Sequence, residues 1–123
     1  RMDINSIWVN EMKAGDYNPV HIHQGKLFTG LSSVMILKLP KDMGPELARP
    51  DQPMNGQLQM MGSASGQFVT ADYSPKMKIG DFYVFPYDVR HVVYPFTNKK
   101  AKRRTLVCNV DVEYNPVSSR TAQ

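Results

Sequence analysis

Three histidines are the only imidazoles in this 123-residue chain, and their placement suits metal chemistry. His21 and His23 lie two apart in "GDYNPVHIHQG", just after a Gly-Asp turn and a proline. On a strand, residues i and i+2 face the same way. The pair therefore projects together, with the apolar Val20 and Ile22 on the other side. His91 lies in "GDFYVFPYDVRHVVYPF", where a Gly-Asp turn again starts a strand, a proline ends it and the histidine opens the next. Two imidazoles from one strand and a third from a distant one give a facial three-point site. Neutral imidazole is a common ligand for Fe, Zn, Cu and Ni.

Strands must position these residues. Short apolar or alternating runs separated by Gly, Pro, Asn and Asp fill the chain, with no long amphipathic helix. "SIWVNEM", "VHIHQ", "LFTGLSSVMILKLP", "GQFVTADYSP", the His91 segment and "RRTLVCNVDVEY" all have β-type content. The stretch 41–65 is too rich in proline for a helix or central strand and reads as a long loop, with "LQMM" as a short strand inside it. The tail 115–123 reads as frayed. About eight main strands with little helix predict an all-β fold, a single jelly-roll domain over 1–123.

Bulk properties exclude several function classes. With 41% hydrophobic and 21% charged residues the chain is globular rather than disordered. Its one cysteine, Cys108, allows no internal disulfide and points to a reducing, cytoplasmic setting. No apolar run approaches the ~18 residues of a membrane span. The net charge of +4 sits largely in "NKKAKRR", so the chain lacks the spread basicity of a nucleic-acid binder.

"GDYNPVHIHQGKLFTGLSSV", "GDFYVFPYDVRHVVYPF" and "KRRTLVCNV" together resemble the core motifs of a small bacterial and phage branch of the Fe(II)/2-oxoglutarate-dependent oxygenases, related to the prolyl hydroxylases. The resemblance spans Ile4 to Val110, most of the loop 41–65 aside. It implies a double-stranded β-helix of cupin-like type. It also implies Fe(II) at His21, His23 and His91, with 2-oxoglutarate and O2 as cosubstrates and a peptide, protein side chain or small molecule as the hydroxylated substrate. Binding the distal carboxylate of 2-oxoglutarate calls for an always-charged fork. By the family's pattern that is Arg103, with the hydroxyl of Thr105 two residues on. Arg104 is the alternative, facing the other way with Leu106 and Cys108.

Two features depart from the pattern. His23 stands where the wider superfamily has Asp or Glu, with Asp72, Asp81 and Asp88 as other sources of a carboxylate. Ser32 and Ser33 replace a Tyr-Tyr pair, Ser32 keeping a hydroxyl for the cosubstrate. Asn109 keeps its place and is expected to line the pocket. The same spacing fits the cupins, so a metal enzyme without 2-oxoglutarate, or a non-catalytic binding barrel, are the alternatives. Trp8 and Cys108 are expected in the core, and Tyr83, Phe85 and Tyr87 form one aromatic face.

Overall fold

The computed structural model describes residues 1–114, so the tail 115–123 lies outside the described residues. Eight strands and no helix make up that span: β1 (Met2–Lys13), β2 (Asn18–His21), β3 (Gly30–Lys38), β4 (Leu58–Met61), β5 (Asp72–Tyr73), β6 (Phe82–Pro86), β7 (Arg90–Val93) and β8 (Lys102–Val112). They form two four-stranded antiparallel sheets, ordered β1-β8-β3-β6 and β2-β7-β4-β5. Consecutive strands alternate between the sheets at every turn except β4–β5, which pair directly. This is the double-stranded β-helix that the sequence predicts.

β8 shows how sequence becomes sheet. Arg103, Thr105, Val107, Asn109 and Asp111 are buried, and the residues between them are not. The period of two puts one set inside and the other outside. The inner row meets the core through Val107, which packs with Val34, Ile36 and Phe85. A second cluster of Met12, Leu58, Val93 and Phe96 closes the end near the β1–β2 turn. The register places Leu106 between Val9 and Met35, with Met35 against Phe82, so an apolar row crosses the outer face. Cys108 belongs to that outer face and is half-buried there, not in the core as its apolar neighbours suggest. Those neighbours, Leu106 and Val110, are themselves outside.

The two Gly-Asp segments are the same turn built twice. Gly15 and Gly80 hold φ of 88° and 92°, in the left-handed region where only glycine is free of strain. The Asp16 amide donates to the Lys13 carbonyl at 3.0 Å, and the Asp81 amide to Lys78 at 3.1 Å. Each aspartate returns a carboxylate oxygen to the amide of that same lysine, at 3.0 and 2.9 Å. One turn feeds β2 and the other feeds β6 and β7, the strands that carry His21 and His91.

The loop from Lys41 onward is tethered rather than loose. The amides of Thr97 and Asn98 donate to the Met43 carbonyl at 2.9 and 3.1 Å. Asn55, buried, takes the Leu47 amide on its side-chain oxygen and gives its own amide hydrogen to Pro45. "LQMM" is β4, as expected. Of "GQFVTADYSP" only Asp72 and Tyr73 form a strand, and Phe68 is 97% exposed.

Candidate metal centre

His21 and His91 face each other as directly paired residues of β2 and β7. Such pairs share a face, and their ring centroids are 4.1 Å apart. β2 ends at His21, so His23 lies beyond the strand rather than within it. Its amide donates to the Tyr87 carbonyl at 2.9 Å, which brings the chain back across the barrel. The ring then stacks on His91 at 4.8 Å and stands edge-on to His21 at 5.0 Å. One nitrogen from each of the three histidines lies within 4.8 Å of the others.

Hydrogen bonds aim these rings. His91 Nδ1 is 2.9 Å from the Val89 carbonyl and His21 Nδ1 is 2.5 Å from Pro19's, each two residues upstream. A carbonyl only accepts, so each Nδ1 carries the proton and each Nε2 lone pair is free for a metal. His23 differs: its Nδ1 meets the Asn109 carboxamide nitrogen at 3.3 Å, and its Nε2 lies 3.0 Å from His91 Nε2. Burial, and then the charges His91 and His21 would carry, lower the His23 pKa from 6.5 to about 4. Burial also lowers that of His91, against the opposing pull of the Val89 carbonyl. His23 and His91 are therefore held neutral, the form that binds metal. Phe85, its ring 4.7 Å from His91, covers the cluster from the core side.

The triad opens into a pocket of about 320 Å³ whose lining includes Trp8, Asn10, Asn18, Arg103 and Thr105. Arg103 is 2% exposed. Among the described residues its Nη atoms find hydrogen-bond partners only in the thioethers of Met12 and Met77, at 3.8 and 3.6 Å, and its Nε has none. Burial lowers its pKa to about 10, which still leaves it charged at neutral pH. A buried cation without an anion is costly. Here it sits in one cavity with three metal-ligand candidates, and a carboxylate-bearing ligand would neutralise it. Arg104, by contrast, is outside, pairing with Glu11 through Nε at 2.8 Å.

The site residues expected from sequence thus separate into two groups. His21, His23, His91, Arg103 and Thr105 line one pocket. Ser32 and Asn109 do not line it: they are buried behind His23, with Ser32 Oγ donating to Asn109 Oδ1 at 2.8 Å. Asn109 meets His23 Nδ1 at 3.3 Å, so through Asn109 this pair reaches a metal-ligand candidate. Asp72, Asp81 and Asp88 lie outside the cluster, and Asp81 is engaged by the Lys78 amide and the Tyr83 hydroxyl.

Sequence reasoning missed three features. Trp8, expected in the core, lines the pocket at 36% exposure, its indole N–H donating to Asn10 Oδ1 at 2.9 Å. Asn10 and Asn18 reach the same pocket, and only the i, i+2 spacing of Trp8 and Asn10 hinted at a shared face. Asp111 is buried and clamps the loop after His23: it accepts from the Tyr87 hydroxyl at 2.9 Å and from the amides of Lys26 and Leu27 at 3.1 and 3.4 Å. A Cβ on Gly25 would collide with that carboxylate, which explains the glycine.

A family profile described as "Putative 2OG-Fe(II) oxygenase" matches residues 6–109. No curated protein matches the chain. Among solved structures, an oxidoreductase of the 2OG-Fe(II) oxygenase family from Burkholderia pseudomallei is similar, with a TM-score of 0.67 and 15% identity over 89% of this chain and 43% of that one. A Pseudomonas putida prolyl-4-hydroxylase gives a TM-score of 0.59 and 18% identity over 87% of this chain and 52% of that one. The chain therefore spans only 43% and 52% of these two neighbours. At such identity the likeness speaks for the fold.

Proposed function

Because the chain belongs to the 2OG-Fe(II) oxygenase family, whose profile covers residues 6–109, we propose that it is a 2-oxoglutarate-dependent Fe(II) dioxygenase that hydroxylates a peptide or protein side chain, or a small molecule. The family implies Fe(II), 2-oxoglutarate and O2, and the His21–His23–His91 cluster supplies a site for the metal. The observation that carries the reading is Arg103, a buried guanidinium with no anionic partner among the described residues, in the pocket of the three imidazoles. That is the pairing a metal-chelating dicarboxylate needs: ligands for one end and a fork for the other.

The chain's own residues then take these roles. The Pro19 and Val89 carbonyls hold the His21 and His91 rings with their Nε2 lone pairs toward the pocket. Arg103 receives the distal carboxylate of 2-oxoglutarate, and Thr105 lies beside it on the same inner row of β8. Fe(II), when bound, supplies the O2 chemistry that converts 2-oxoglutarate to succinate and CO2 and places one oxygen atom on the substrate. Phe85 and Val107 keep water from the inner side of the pocket, which strengthens the electrostatic contacts within it. Trp8, Asn10 and Asn18 offer an indole and two carboxamides for recognising a polar, uncharged substrate such as a peptide. The prolyl-4-hydroxylase likeness is consistent with that substrate class.

The deciding experiment is an anaerobic titration with Fe(II), with and without 2-oxoglutarate. The reading predicts a weak visible charge-transfer band only when both are present. Iron binding with no band and no 2-oxoglutarate affinity would sink it and leave a metal-binding barrel of another function.

A further inference from the structure

We infer that Asn109, backed by Ser32, is the positioning residue for His23, and that its carboxamide turns over when His23 takes a metal ion. The inference rests on the metal centre described above. The protons of the metal-free network follow from one fixed point. His91 Nδ1–H is committed to the Val89 carbonyl, so His91 Nε2 is bare. It faces His23 Nε2 at 3.0 Å. Two bare nitrogens repel at that distance, so the proton between them belongs to His23 Nε2. His23 Nδ1 is then bare and accepts from the Asn109 carboxamide N–H at 3.3 Å. Asn109 Oδ1 in turn accepts the Ser32 hydroxyl at 2.8 Å. Every donor from Ser32 to His91 points the same way.

This arrangement is incompatible with metal at His23 Nε2. Ligation needs that lone pair, so the proton must move to Nδ1, leaving the ring neutral overall. Nδ1–H then needs an acceptor, and the group facing it presents a nitrogen. Rotating the Asn109 side-chain amide by about 180° presents Oδ1 instead, because the two ends are nearly equal in size. The nitrogen then faces Ser32, whose hydroxyl turns from donor to acceptor. Asn109 is 4% exposed and Ser32 fully buried, so water does not readily take either part. His21 and His91, on backbone carbonyls, need no such change. A metal-bound histidine whose other nitrogen lacks an acceptor loses orientation and basicity; at His23 this chain supplies the acceptor through a reversible side chain.

The test uses the unmutated protein labelled with ¹⁵N-histidine, Zn(II) as a diamagnetic probe, and two-bond ¹H–¹⁵N spectra. His23 should be protonated at Nε2 before zinc and at Nδ1 after one equivalent. Asn109→Leu removes the acceptor and should lower Zn(II) affinity roughly 10- to 100-fold. Asn109→Asp supplies an acceptor that needs no rotation. It should set the Nδ1–H form before zinc is added and bind zinc about tenfold tighter than the unmutated protein. A purely packing role would make both variants bind more weakly. Finding Nδ1–H on His23 in the metal-free unmutated protein overturns the inference, as does Asn109→Asp binding no better than Asn109→Leu. Zinc binding with an unchanged tautomer overturns it and takes His23 out of the ligand set, leaving a metal site at His21 and His91. No zinc binding at all overturns both.

Discussion

His23 Nε2 lies 3.0 Å from His91 Nε2, a distance that two imidazolium rings could not tolerate. Burial, and then the charges His91 and His21 would carry, make the folded protein resist protonation that the unfolded chain accepts near pH 6.5, and His23 takes its proton only near pH 4. The unfolded state binds more protons across that interval, so stability is full above about pH 6.5 and falls as the pH drops toward 4. The urea midpoint of the metal-free protein should therefore be lower at pH 5.0 than at pH 7.5. His23→Gln should flatten the difference. Equal midpoints for the unmutated protein would show that the rings are not held neutral.

If the three imidazoles form one centre, the protein takes up one Mn(II) or Ni(II), and His91→Ala removes that stoichiometric binding in calorimetry. His91 is 3% exposed and central to the cluster, so no described side chain replaces it. Stoichiometric binding retained in the variant would take His91 out of the site.

Arg103→Ala should raise the apparent dissociation constant for 2-oxoglutarate at least ~100-fold, about 2.7 kcal/mol, in the presence of Mn(II). Lysine at this position should rescue only in part, since a point charge cannot make the paired fork. Arg104→Ala should leave 2-oxoglutarate binding nearly unchanged, because that side chain is outside, on Glu11. Quenching of Trp8, the single tryptophan and part of the pocket wall, reads all three. Equal losses from Arg103→Ala and Arg104→Ala would refute the assignment.

The pocket lining contains Arg103 and three imidazoles but no carboxylate. A divalent ion there meets one positive charge and no negative one, so the ion and the 2-oxoglutarate dianion should bind with strong positive coupling, shared equally by both. His23→Asp adds the missing negative charge. It should tighten Mn(II) binding without 2-oxoglutarate by about tenfold and reduce the coupling by a similar factor, about 1.4 kcal/mol. Electron paramagnetic resonance of free Mn(II), with and without 2-oxoglutarate, measures both. Coupling that is equally large in the variant would mean that charge is not its source.

The strands, the Gly-Asp turns and the three histidines were legible because they depend on local rules. Gly15 and Gly80 hold positive φ, and the aspartate after each caps its own turn within three residues. The alternation of β8 marked Arg103 and Thr105 as one face before any partner was known. Which face was inner was not legible: Leu106 and Cys108 look like core and are outside, because β8 lies between β1 and β3 with only its other face toward the second sheet.

Local chemistry by itself determined that His21 and His23 would lie close and that a strand would deliver His91. Only the tertiary structure decided that β2 pairs with β7 so that His21 faces His91, and that β2 stops before His23. It also set Asn109 against His23 with Ser32 on its other end, and put Asp111 under the loop at Gly25. These contacts join residues 77 to 86 positions apart. Turn and strand preferences act over a few residues, whereas which buried polar groups find each other is settled only when two distant segments are desolvated together.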